Sequence, residues 1–469
     1  MTRKVLVLLG LLLGAGCTVG PRHVEPDGTM PARFDQAGEA PADAAPASTL
    51  WSAFGSAELD GLLARAVTAN QGLAQVTARL AETRALAGLA PYAYIPTITA
   101  GGDVIRRQES LRDPSIPERL GETETWRAGF DAAWEIDLFG SLRNRASAIY
   151  RRADADAAAL EAARLSLVAE TAQAWFALIG ARERRALLAQ QLANLEGSLR
   201  ILEAQLDAGR STAFDVARAQ AQARAVGASL PEAEAEVVRQ EQRLAALTAW
   251  PIDELRAQLD PAAAMPELPA VVTTGTPADW LRRRPDIREA ERRLAAATAD
   301  VGVEVAEYFP RLELVGDFGW TAPSSSLIGD SQAERWYFGP VLSWRFLDLG
   351  RVRQGVRAAE ARREAALAGY NEMVLRALEE TETALASLRA ANRAAVELEV
   401  AVTAAGEAVR LAQLRYSAGA SDYLAVLDAE RSWLEFADRL VQVRTRRATS
   451  LAAVHKALAG DPSTPVASG

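Results

Sequence analysis

The chain is written twice, and a fold for it must accommodate the same parts twice. Aligning Pro96 with Pro310 also pairs Asn70 with Arg284, Arg79 with Arg293 and Leu80 with Leu294. A slightly shorter shift brings Trp134 onto Trp344, Gly140 onto Gly350, Arg143 onto Arg353, Gly209 onto Gly419, Ser211 onto Ser421 and Val216 onto Val426. Near-constant shifts carried over such distances indicate duplication. In each half a moderate helix (about 56–90, then about 278–308) ends before a proline, Pro96 or Pro310, and an alternating pair of strands follows. A long helical run (about 141–208, then about 351–418) ends at Gly209 or Gly419, and another helix returns (about 212–250, then about 422–459). At ~1.5 Å per residue each long run extends about 100 Å, which predicts matched long helices.

Within the first long run, Leu188, Leu192, Leu195, Leu199, Leu202 and Leu206 recur in steps of four and three. Leu398, Val402, Ala405, Val409, Ala412 and Tyr416 keep that spacing with mostly smaller side chains. Such a heptad seam buries against neighbouring helices as in a coiled coil. The turns LDAGRSTAFD and YSAGASDYLA join long run to returning helix. Gly209 and Gly419 suit the left-handed residue that ends a helix, and Ser211 and Ser421 are placed to cap the next one.

The strands alternate differently from the helices. In RAGFDAAWEIDL one face carries Ala128, Phe130, Ala132, Trp134, Ile136 and Leu138, and in RWYFGPVLSWRF it carries Trp336, Phe338, Pro340, Leu342, Trp344 and Phe346. A half-buried soluble sheet alternates too, but aromatic residues near strand ends are the pattern of a membrane barrel girdle. Export supports that reading. MTRKVLVLLGLLLGAGC has a basic start, an apolar run too short to span a bilayer, and small residues before the single cysteine. It resembles a bacterial lipoprotein signal with Cys17 as the lipidated residue, although Gly14 stands where leucine is usual. Four strands per chain cannot close a useful pore, so several chains must share one barrel.

The remaining composition excludes other classes. The net charge is -9 and Arg alternates with Glu and Asp along the helices, so nucleic acid is not an expected partner. One Cys and two distant His, His23 and His455, build no metal cluster or disulfide framework. With no phosphate loop and no nucleophile elbow, neither catalysis nor a cofactor is expected. The expected organisation is a signal peptide over 1–16, a lipidated extended segment over 17–50, a first structural repeat over 51–260, a second over 261–460 and a flexible tail over 461–469.

With CTVGPRHVEP at the front, RRPDIREAERRL at 283–294, the Trp–Gly junctions at 134–140 and 344–350, and YLAVLDAERS at 423–432, the chain resembles the outer-membrane efflux factors of the TolC/OprM type, in their lipoprotein branch. The resemblance implies a mainly α protein with membrane β structure. It further implies a homotrimer in which each chain gives four strands to one shared transmembrane barrel, continued by a coiled-coil tunnel through the periplasm. A periplasmic adaptor and an inner-membrane pump would load that tunnel. By the same resemblance Leu424 and Asp428 line the narrowest ring at the periplasmic mouth, Arg431 joins its polar network, and Phe214 and Arg218 hold the equivalent places in the first half. The tips Gly209, Arg210 and Ser211, and Gly419, Ala420 and Ser421, would meet the adaptor. Asp428 has a plainer alternative, a surface ion pair with Arg431 or Arg218. The same duct could serve protein secretion or metal export, and a non-pore coiled-coil scaffold is the reading from a different class.

Overall fold

The computed structural model describes residues 18–26, 31–36, 54–108, 110, 122–268 and 276–458. The expected signal peptide, Cys17 and the tail over 461–469 lie outside these residues. In chain order the elements are α1 (Ala57–Ala69), α2 (Gln71–Leu89), β1 (Thr97–Gln108), β2 (Glu122–Ile136), α3 (Ser141–Asp207), α4 (Ala213–Thr248) and α5 (Ile252–Gln258). They continue with α6 (Pro277–Arg283), α7 (Pro285–Ala306), β3 (Arg311–Ala322), β4 (Glu334–Ser343), α8 (Leu349–Ser417) and α9 (Leu424–Ala457). The described residues are thus mostly helical, with four strands.

The moderate helix expected in each half is two helices. Ser56 caps α1 by accepting from the Leu59 N–H at 3.2 Å, and Asn70 ends it by turning extended at ψ 126. The Asn70 Oδ1 then accepts from the Leu73 N–H at 3.0 Å, opening α2, while its Nδ2 donates to the Leu247 carbonyl in the last turn of α4 at 2.9 Å. Arg284 separates α6 from α7 in the same way, and its Nη1 donates to the Ala457 carbonyl at the end of α9, also at 2.9 Å. Each break makes a tertiary hydrogen bond, which sequence periodicity does not display, and the second also has a local cause, since Pro285, the first residue of α7, disfavours helix at Arg284.

Two compact units divide the chain, and each draws on both sequence halves. The strand-bearing unit holds residues 18–26, Arg79–Ala157 and Glu289–Asn371. Its antiparallel sheet has the order β1-β2-β3-β4. Register places Ile98 beside Ala132, Ala132 beside Gly316 and Gly316 beside Phe338; the next row sets Phe130 beside Phe318 and Phe318 beside Trp336. One face is therefore apolar across all four strands until Arg106, Glu122, Glu124 and Glu334 at one end, and Ile98, Phe130, Phe318, Trp336, Phe338 and Leu342 on it are exposed. The other face carries Arg127, Asp131, Glu135, Glu313, Asp317 and Arg335, with Asp317 and Arg335 ion-paired. Gly129 opposite Gly319 lets the two central strands meet, since a Cβ on Gly129 would lie 2.6 Å from the Phe318 carbonyl oxygen. The ladder stops at Ser343 because its partner Arg311 is the first residue of β3, so Trp344 and Phe346 fall beyond the strand expected to contain them. The Trp344 indole instead donates to the Tyr308 carbonyl at 3.1 Å, as the Trp134 indole does to Tyr94 at 2.9 Å. Residues 18–26 run without helix or strand beside these elements: Val19 bonds to Phe139 and Asn144, and His23 meets Glu291 at 2.6 Å.

The second unit, with residues 31–36, 54–78, Ala158–Arg288 and Glu372 onward, is helical in its regular structure. Trp175, Phe176, Leu178, Ile179, Leu59, Leu62 and Leu63 are fully buried in it, with the Phe54 ring edge-on to Phe176 at 5.2 Å. Each such side chain removed from water stabilises the fold by about 1.5–3 kcal/mol. Trp280 is fully buried under the edge of Phe34 and gives its indole proton to Ala457 at 2.6 Å. No helix among the described residues is long and apolar enough to cross a membrane.

Candidate functional site

The two helix–turn–helix tips of the second unit are near copies. At the first, Gly209 has φ 69, its N–H donates to Leu206 at 2.9 Å, and the Arg210 N–H donates to Gln205 at 2.7 Å. At the other, Gly419 has φ 69, with Gly419 to Tyr416 at 2.9 Å and Ala420 to Arg415 at 2.8 Å. These are the paired bonds of a Schellman turn, which needs a left-handed residue and therefore favours glycine. Nothing lies within 4 Å of the Cβ that either glycine lacks, and Arg210 and Ala420 are exposed. Both turns thus present open backbone at the end of a long helix.

The capping expected of the serines goes elsewhere. Thr212 caps α4: its Oγ1 accepts from the Asp215 N–H at 3.2 Å, and Asp215 accepts from the Thr212 N–H at 3.1 Å. Ser211 lies 3.4 Å from the Asp215 carboxylate. The Thr212 hydroxyl, helped by the Thr212 N–H and Ser211, holds the Asp215 carboxyl below the usual carboxylate range. This reciprocal box is readable as Thr-Ala-Phe-Asp. In the second half Asp422 and Ala425 occupy those positions, so only the Asp422 carboxylate reaches the Ala425 N–H, at 3.4 Å. Tyr423, helical in backbone, makes no side-chain cap, and the buried Ser421 hydroxyl has no partner. The α9 helix therefore starts with weaker anchorage than α4.

The expected gate residues lie on the outward side of these hairpins. Asp428 is exposed and accepts from Arg431 at 2.6 Å, one turn along α9, the pair being 58% and 59% exposed. Leu424 is half-buried one turn before Asp428. On α4 the Phe214 side chain is exposed, and the Arg218 guanidinium stacks 5.7 Å from its ring centre. Within one chain the structure thus joins Asp428 with Arg431 and Arg218 with Phe214. The opposite sides of the helices bury Leu188, Leu195, Leu202, Ala219, Ala223, Val226, Val426 and Leu427 in one cluster, which Leu192, Leu199, Ala412 and Tyr416 pack against. The first-half seam from Leu188 to Leu202 lies in that core, joined from the second-half seam by Ala412 and Tyr416.

Sequence reading missed a polar group inside the seam. Glu430 is 8% exposed, one of its oxygens accepts from Gln413 on α8 at 3.2 Å, and the other has no partner. The Tyr423 hydroxyl is buried and also unpartnered, its ring edge-on to Tyr416 at 5.1 Å, while the Tyr416 hydroxyl donates to Gln205 of α3 at 2.6 Å. Burial pushes the Tyr423 phenol up to about 12 and raises the Glu430 carboxyl, an effect Gln413 partly offsets. The signal for Glu430 was present, since Tyr423, Leu427, Glu430, Leu434 and Ala437 follow seam spacing.

Comparison with known proteins bears on the whole chain. The family model described as outer membrane efflux protein matches residues 62–249 and 276–460. The chain is 31% identical over 461 residues to the outer membrane protein OprJ of Pseudomonas aeruginosa, covering 97% of this chain and 95% of that one. It is also 31% identical to the pyoverdine export outer membrane protein OpmQ of Pseudomonas putida, covering 92% of each chain. Among solved structures, that of the outer-membrane channel OprN superposes with a TM-score of 0.89 at 36% identity, covering 95% of this chain and 99% of the other.

Proposed function

Because the chain belongs to the outer membrane efflux protein family, we propose that it is the exit duct of a tripartite efflux system, passing small molecules across the outer membrane without chemistry of its own. The observation that carries this reading is the four-stranded sheet with one face apolar from edge to edge and exposed. A face of that kind fits lipid, and the opposite charged face fits an aqueous lumen. Among the described residues β1 and β4 each pair on one side only, and open edges cannot stand in hydrocarbon. Three copies of the chain, β1 of each pairing with β4 of the next, close one barrel; the helices continue it into the periplasm. The repeated Trp134–Tyr94 and Trp344–Tyr308 bonds, and the matching roles of Asn70 and Arg284, support an origin by duplication.

An inner-membrane pump and a periplasmic adaptor deliver the cargo, and the adaptor docks at the tips Gly209–Ser211 and Gly419–Ser421, whose backbone is open. Leu424 and Asp428 of the three chains converge as the periplasmic gate, with Arg431 beside Asp428 and with Phe214 and Arg218 at the equivalent turn of α4. Cys17 carries lipid that adds to the barrel's own anchorage. The test is reconstitution of the purified protein in a planar bilayer. A trimer that inserts and gives small, cation-preferring conductance steps supports the duct, whereas a protein that assembles but never conducts is the non-pore scaffold.

A further inference from the structure

Polar satisfaction differs sharply between the two hairpins. Among the described residues from 188 to 235, no buried side-chain nitrogen or oxygen lacks a partner, while the second hairpin has three: Ser421 Oγ, Tyr423 OH and Glu430 Oε2. All three lie within the first turns of α9 or just before it. A buried polar atom left unpaired costs about 1–3 kcal/mol, and a buried unpaired charge costs more. Such a cluster is a place where the packing tolerates one protonation state better than the other.

We propose that the α8–α9 hairpin carries a proton-operated release, in which protonated Glu430 holds the gate-bearing end of α9 against α8 and ionised Glu430 loosens it. The proposal rests on the reading of α9 as that gate-bearing helix. The groups around the acid decide the direction. From α8 come Gln413, the one donor to Glu430, and Tyr416, whose ring lies edge-on to Tyr423. From α3 come Gln205, engaged with Tyr416, and Ser198, which lies close to the Tyr423 hydroxyl without a well-formed hydrogen bond. Tyr423 itself stays a neutral phenol. The charges next along the chain are committed elsewhere: Arg431 to Asp428 on the exposed side, and Arg410 to Glu407 in solvent. Among the described residues no cation faces Glu430 to hold it ionised in the packed hairpin.

A neutral carboxyl needs fewer donors than a carboxylate and brings an O–H of its own to the unpartnered cluster. The packed state therefore prefers the proton, in line with burial raising the acid above its ordinary 4.5. The stability it contributes is complete below that ordinary value and is lost as pH rises towards and through the raised value, when the proton passes to solvent. For each unit of that rise, opening of the hairpin becomes up to about tenfold easier.

The test follows amide exchange in the purified full chain from about pH 4 to about pH 8, corrected for the intrinsic pH dependence of exchange. Residues 409–434 are compared with residues 199–224 of the first hairpin in the same molecule. In the wild type the second hairpin should lose protection relative to the first as pH rises. In Glu430→Gln, which keeps shape but cannot titrate, the ratio should be flat and stay at its low-pH level. Gln413→Leu, which removes the one donor, should move the transition to higher pH. A flat ratio in the wild type, or a Glu430→Gln ratio that still shifts like the parent's, overturns the switch. Exchange needs no conducting pore, so failure of the duct reading in the bilayer leaves this outcome separately readable.

Discussion

Replacing Arg284 by Ala should free the last turns of α9. Its guanidinium side chain is 6% exposed and binds Asp286 at 2.6 Å, Glu380 at 2.7 Å and the Ala457 carbonyl at 2.9 Å, with its carbon 5.4 Å from the Trp280 ring centre. Hydrogen bonds to a charged group contribute about 1.5–3 kcal/mol each. Arg284 makes four, two of them to Asp286, and their sum overstates the loss, because the partners keep alternatives. Ala457 retains the Trp280 indole at 2.6 Å, Glu380 retains Lys456 at 3.0 Å, and the two carboxylates are 24% and 36% exposed to water. The expected cost is about 3 kcal/mol, the lower end for breaking a buried pair from one side. If that loss falls on local opening, amide exchange over residues 451–457 should accelerate about a hundredfold. The last turn of α4, held by Asn70 in the corresponding way, serves as the unchanged internal reference. Arg284→Lys, with charge but no fork, should fall between the two. Equal exchange of residues 451–457 in Arg284→Ala and wild type would refute the view that this side chain pins the helix end.

Three further outcomes follow from particular residues. Arg284 and Lys456 outweigh burial and hold the Glu380 carboxyl below its ordinary range, so the stability this contact gives is present above about pH 4.5 and is lost as pH falls through the lowered value; Glu380→Gln should flatten that part of an acid-unfolding curve. Ser421→Arg places a long cation at a tip whose neighbours Gly419 and Ala420 are exposed, and should weaken crosslinking to the periplasmic adaptor while the trimer still assembles; undiminished crosslinking in an intact trimer would count against docking there. Mass spectrometry of the mature N-terminus should find lipid on Cys17, and an unmodified residue there would remove the lipid anchor from the account.

Features fixed by local chemistry were legible in the sequence. Gly209 and Gly419 take the left-handed conformation their turns require, Leu188, Leu195 and Leu202 of the leucine seam are buried with Leu192 and Leu199 packed against them, and the alternation around Phe130 and Phe338 forms one apolar face. Features fixed by distant partners were not. The break at Asn70 is tied to a carbonyl at the end of α4, far along the chain, and no helical period reports it, whereas Pro285 marks the break at Arg284 locally. The strand around Trp344 reads as continuing, but it stops where β3 has no residue left to pair. Ser211 and Ser421 read as caps by position, although Thr212 with Asp215 was the better box and the second half lacks its acid. Glu430 reads as one more surface carboxylate unless the seam is counted through it.

The periplasmic gate is where a duct and a surface ion pair part company. Within one chain Asp428 and Arg431 form an exposed pair, which contributes about 0–1 kcal/mol to stability, so substitution there should leave the fold intact. If three copies converge on a lumen, the same substitution should change what passes. The measurement is single-channel conductance and ion selectivity of purified trimers, comparing the wild type with Asp428→Ala and with Leu424→Ala plus Asp428→Ala. Asp428→Ala should lower the cation preference, and the double variant should show a clear rise in conductance with entry of bulky solutes. Conductance and selectivity unchanged from the wild type in the double variant would contradict the gate, and return Asp428 to a surface ion pair with Arg431.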